Sequence, residues 1–240
     1  MTKLLLIATA ALAAANAASA ADENPTAWKS TAGISVAIAR GNARSTLVGG
    51  NILTSKKWDR NEISAGLNGA YGDADGNKNV ENLGIFGQYN RLITDRWYFG
   101  GRVDGMTDTI AGIDYRATIS PTLGYYVIKK TDTTLAFEAG PSLILENLKS
   151  RNSEQYLALR LAEKFHHKFN EHVTLDQYAE ILPRVDKFDD FVVNAWATLS
   201  AKLSGNLSST ITLKNQYRSR PAQDRLKNDI QLLAGVSYSF

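Results

Sequence analysis

The residues of this 240-residue chain best placed to do chemistry are ionisable side chains at alternate positions. Arg102, Asp104, Arg116, Glu138, Arg160, Lys164, Asp176, Glu180, Lys202, Lys214 and Arg218 share one face if the segments that hold them are extended. Seven of these are basic and four acidic. Around a water-filled space such a set mildly favours anions. Paired with one another, the same charges fill the space and give structure without conduction. Tyr126, Tyr178 and Trp196 fall on the same face, and bulky rings favour filling.

Catalysis and metal binding are less well served. There is no G-x-S-x-G nucleophile motif, and the three histidines, His166, His167 and His172, cluster around an expected turn. Adjacent histidines on a strand point to opposite faces, which makes a poor metal set. The run from Asp73 through Asp75-Gly76-Asn77 opens like a calcium loop, but position 84, where the closing Glu belongs, is Gly. A polar turn accounts for it more simply. With no Cys, the chain has no disulfide scaffold, thiolate zinc site or cysteine nucleophile. No catalytic, cofactor-binding or metal-binding residue is therefore expected. The net charge of +3 comes without a basic stripe, so no nucleic-acid partner is expected either.

What could position the alternating charges? Residues 1–20 stand apart as a cleaved signal peptide, with Lys3 before an apolar stretch and Ala18-Ser19-Ala20 at the cleavage site. An N-terminal anchor helix is the competing reading. In the remainder, 21–240, the longest run free of Asp, Glu, Lys and Arg is 117–128, twelve residues. A spanning helix needs roughly 18. Strands remain, and the period confirms them. Ile230, Leu232, Ala234, Val236, Tyr238 and Phe240 alternate with Gln231, Leu233, Gly235, Ser237 and Ser239. The same period runs through 191–203, 207–217 and 135–143, and more poorly through 47–55 and 81–91.

Twelve such segments predict an all-β fold, a transmembrane antiparallel up-and-down β-barrel of about twelve strands. They lie at 28–40, 43–56, 61–72, 79–92, 97–108, 113–128, 133–147, 155–169, 173–184, 191–203, 207–220 and 229–240. The connections at 94–95, 129–132, 170–172 and 204–206 read as tight periplasmic turns, and those at 72–78, 148–154, 185–190 and 221–228 as longer, charged outer loops. Gly41-Asn42 is a short outer exception. Trp28, Trp97, Tyr125, Phe169, Tyr238 and Phe240 map near the periplasmic ends, and Tyr71, Tyr115, Phe191 and Tyr217 near the outer ends, as interfacial girdles require. A soluble β-sandwich is the alternative. Twelve strands tilted by about 40° give a backbone radius of roughly 12 Å, enough for a narrow channel at most.

The last strand is the most specific signal. Gly235, Tyr238 and the terminal Phe240 match the assembly signal read by the bacterial barrel-assembly machinery, which becomes an expected partner during biogenesis along with outer-membrane lipids. With Trp28, Gly41-Asn42 before Ser45-Thr46, Trp97, Asp108, Arg116, Gly124-Tyr125, Arg218, Pro221 and Asp229, this ending resembles the YdiY-like, salt-induced outer-membrane proteins, a family of unknown function. That resemblance implies a location and a fold, the bacterial outer membrane and a barrel, and supplies no catalytic residues. The expected role is a narrow passive channel with mild anion preference or an envelope and salt-stress barrel. The alternatives are a plugged structural or interaction barrel and, behind it, an outer-membrane hydrolase. Oligomeric state stays open.

Overall fold

In the computed structural model, which describes residues 27–39, 45–149, 153–221 and 227–240, the alternating segments are strands. They are β1 (Lys29–Ala39), β2 (Ser45–Trp58), β3 (Asn61–Ala74), β4 (Asn77–Leu92), β5 (Trp97–Asp108) and β6 (Ile113–Lys129). The second half holds β7 (Thr133–Leu148), β8 (Glu154–Lys168), β9 (Val173–Pro183), β10 (Phe191–Ser204), β11 (Leu207–Arg218) and β12 (Asn228–Ser239). Each pairs antiparallel with its sequence neighbours, and β1 pairs with β12, so the sheet closes into an up-and-down barrel. Closure removes every edge, which satisfies the backbone without water and lets strands cross a bilayer. The expected fold is borne out, and even the poorly alternating β2 and β4 are full strands. The signal peptide and Gly41-Asn42 lie outside the described residues.

Alternation sets what each face meets. Ile85, Phe99, Val103, Ile119, Leu157, Ile211 and Leu232 stand exposed around the outer wall, an apolar belt that only lipid would cover. The first and last described residues, 27 and 240, lie at one rim, here the terminal rim. There Trp97 packs on Tyr125 with ring centroids 4.7 Å apart, and Lys56 lies over the rings of Trp28 and Trp58. Phe191 and Tyr217, 5.7 Å apart, mark the far rim. Aromatic rings therefore stand at both edges of the belt, where an apolar body and a polar tip are both accommodated.

The far rim differs from the expected layout in one place. The connection at 72–78 is no long loop but the two-residue turn Asp75-Gly76. Both residues take positive φ, +52° and +80°, and the Asp73 carboxylate accepts a hydrogen bond from the Gly76 amide at 3.1 Å. That mirror-image turn follows the right-handed twist of the flanking strands, so no extra chain is needed. The two longest far-rim connections join β9 to β10 and β11 to β12. Ladder length also varies around the barrel. The β1–β2 register runs from Lys29↔Ser55 to Ala39↔Ser45, whereas the β1–β12 seam runs only from Thr31↔Ser239 to Val36↔Ala234. Phe240 extends the seam by exchanging backbone hydrogen bonds with Ser30, at 2.8 and 3.0 Å.

Candidate functional site

The inner face holds most of the charge. Strands four apart touch only through the interior, so the hydrogen bond from Lys164 on β8 to Gln88 Oε1 on β4, 2.7 Å, crosses the lumen. Its hub is Glu138 on β7, whose side chain is fully buried. Glu138 Oε1 accepts from Gln88 (2.7 Å), Tyr98 (2.9 Å) and Lys164 (2.7 Å), and Oε2 accepts from Arg160 Nη1 (3.0 Å). Arg160, 1% exposed, also donates to Glu180 Oε2 and to the Tyr178 hydroxyl, each at 3.0 Å. Tyr178 in turn donates to Glu180 at 2.6 Å, and Asn194 donates to Glu180 Oε1 at 2.9 Å. A buried charge costs several kcal/mol unless it is paired and its remaining hydrogen-bonding capacity is used. Here both carboxylate oxygens of Glu138 are engaged.

Smaller groups adjoin and extend the hub. Arg102 forks onto Asp104 (2.6 and 3.0 Å) with its guanidinium 4.3 Å from the Phe86 ring centroid. Toward the terminal rim, Tyr126 donates to Glu62 at 2.7 Å and packs against Tyr98, whose ring occupies the space where a side chain at Gly124 would sit. Toward the far rim, Arg116 pairs with Glu146 through Nε at 2.7 Å. In the loop beyond β9, Arg184 bridges Glu154 and Asp186 while stacking over Tyr156 at 4.0 Å. The Arg184 hydrogen bond holds the Asp186 carboxyl below the usual range.

The other wall, β11 through β3, is sparse. Gly33, Ser35, Asn51, Ser55, Thr210, Thr212 and Gly235 face inward there, and the longer charged side chains on that face include Lys214 and Arg218 on β11, Asp229 on β12 and Glu62 on β3. Leu53 also faces inward, opposite Gly66, yet is 42% exposed. On β10, Trp196 faces inward beside Tyr178 and is 36% exposed. Between the charged hub and this wall lies a cavity of about 250 Å³, lined by Arg102, Tyr178, Trp196, Lys214, Gln216 and Gln231 among others.

The eleven ionisable residues singled out by spacing thus separate into groups. Arg102, Asp104, Glu138, Arg160, Lys164 and Glu180 come together in the hub, and Arg116 joins Glu146. Asp176 pairs apart from them with His166 at 2.7 Å, near the terminal rim. Lys202, Lys214 and Arg218 form no salt bridge among the described residues, and Arg218 Nη2 is buried without a hydrogen-bond partner there. Spacing missed Glu62, Gln88, Tyr98, Asp108, Glu146 and Asp229. Carrying the parity of each strand out to its ends would have found most of them. His167 bonds Thr133 at 2.9 Å and is ringed by Phe165 and Phe169. Among the described residues, no three His, Asp or Glu groups gather in a set able to hold a metal ion.

No curated protein matches the chain. Among solved structures it is similar to the NanC porin, at 10% identity and a TM-score of 0.53 over 88% of this chain and 99% of that one. It is also similar to the COG4313 outer membrane channel from Pseudomonas putida F1, at 9% identity and a TM-score of 0.52 over 92% of this chain and 100% of that one. At such identities the likeness is one of fold. Residues 32–240 match the family described as Protein of unknown function, DUF481. The chain belongs to that family, and it is a twelve-stranded β-barrel of the bacterial outer membrane.

Proposed function

We propose that the barrel is a narrow passive channel with a mild preference for anions, its path running along the sparse wall from β11 to β3 beside the charged hub. The observation that carries this reading is the exposure of inward-facing Leu53 and Trp196, which have no lipid to meet, Trp196 lining the cavity itself. The anion preference rests on Lys202, Lys214 and Arg218, set along β10 and β11 without salt-bridge partners among the described residues. The inner acids Asp108 and Asp229 keep it mild. Residues 1–20 would direct export, leaving 21–240 as the barrel. Gly235, Tyr238 and Phe240 would be read by the assembly machinery, and the apolar belt would meet outer-membrane lipid. The terminal rim is then periplasmic. The role is conduction, not catalysis: His166 and His167 are held by Asp176 and Thr133 on the periplasmic side.

The buried Glu138–Arg160 pairing favours a second reading, a plugged structural barrel. Planar-bilayer recording of the refolded barrel in a salt gradient separates them. Discrete openings with an anion-favouring reversal potential, reduced in Lys214→Glu and Arg218→Glu, support the channel. A silent bilayer from protein shown to be folded by heat-modifiable gel mobility supports the plug.

A further inference from the structure

Three of the four tryptophans, Trp28, Trp58 and Trp97, stand on the lipid side of the terminal rim, where rings are favoured. Trp196 alone stands inside. Its ring lies at 25° to that of Tyr178 with centroids 6.1 Å apart, while Tyr178 is 8% exposed and Trp196 remains open to the cavity. An apolar ring facing water inside a barrel is costly when the lipid side would cover it, so its place calls for a reason. The reason lies in its neighbours. Directly opposite Trp196 on β11 is Lys214, which is opposite Gln231 on β12, and Gln216 sits opposite Asn194. All of them line the same cavity.

We propose that this cavity binds a saccharide, one pyranose ring stacked on the free face of Trp196 and its hydroxyls on Asn194, Gln216, Gln231 and Lys214. A pyranose offers an apolar C–H face to an aromatic ring and a rim of groups that both donate and accept. The electron-rich ring face suits the first, and side-chain amides, which also donate and accept, suit the second. At about 250 Å³ the cavity is below the roughly 300 Å³ at which pockets begin to hold drug-sized ligands. It therefore takes one ring at a time, as a chain threading through would require. The inference rests on the lumen being accessible, as the channel reading has it, but not on conduction.

Replacing Trp28, Trp58 and Trp97 by Phe leaves Trp196 as the only tryptophan. This barrel, folded in detergent, would be titrated with hexasaccharides of glucose, glucosamine and galacturonate, and with adenosine. Saturable change of Trp196 fluorescence by at least one sugar is expected. By calorimetry on the otherwise native barrel, Trp196→Ala should then weaken that sugar by on the order of tenfold or more, and Trp196→Phe by less. Heat-modifiable mobility checks that each variant folds. No response to any sugar, or a response to adenosine alone, overturns the assignment. Conductance without sugar binding would leave the channel standing and this inference refuted, and binding in a silent barrel would do the reverse.

Discussion

The two walls of the barrel share the same antiparallel backbone ladder, yet their inner faces are built on opposite plans. From β4 to β10, long charged and phenolic side chains reach across and bond to one another, until Glu138 and Arg160 have almost no contact with water. From β11 through the seam to β3, most inner side chains are small or neutral, with Lys214, Arg218 and Glu62 among the charged exceptions. The difference teaches a division of labour: one wall supplies most of the internal bonding, and the other contributes little of it.

That contrast makes graded predictions. Glu138→Ala leaves two cations, Arg160 and Lys164, facing a lost carboxylate, and should destabilise the barrel by roughly 3–5 kcal/mol in denaturant unfolding. Thr210→Ala on the sparse wall should change it by less than about 0.5 kcal/mol. Equal losses would erase the distinction between the walls. Gly124→Ala puts a methyl group about where the Tyr98 ring now lies, so an overpacking cost of about 1–3 kcal/mol is expected in the same assay. Ser120 and Ser142 share a 2.6 Å hydrogen bond with both residues fully buried, and Ser120→Ala should cost about 1 kcal/mol.

The smallest effect is at the far rim. The Asp186 carboxyl is held below its usual range by Arg184, so the contact contributes above the ordinary carboxylate pKa and is lost as pH falls through the lower folded value. Hydrogen exchange of the 184–190 loop, corrected for its intrinsic pH dependence, should rise on acidification in the native protein. In Asp186→Asn it should already be raised at neutral pH.

Much of this architecture is legible in the sequence because a period of two survives wherever one face meets lipid. Expected segments 113–128 and 133–147 differ by one residue from β6 (Ile113–Lys129) and β7 (Thr133–Leu148). β2 and β4 alternate poorly for a physical reason: Leu53 and Phe86 face inward, so an apolar residue there says nothing about lipid. The length of the 72–78 connection was hidden too, since a polar run can be a loop or a two-residue turn until φ is known. Alternation puts Arg102 and Asp104 on one face. That Lys164 meets Gln88 across the lumen depends on the stagger of strands far apart in sequence, which no local pattern records.

The absence of Cys permits the most direct test of the two-wall account. Single cysteines at Asn51 and Thr210 on the sparse wall, and at Ala136 and Ala162 on the packed wall, would be exposed to a small charged thiol reagent during single-channel recording. Ala136 and Ala162 are 2% and 5% exposed. The account predicts rapid modification at positions 51 and 210 with a stepwise change in current, and none at 136 and 162. Modification of both walls alike, or of neither, in protein shown to be folded would contradict it.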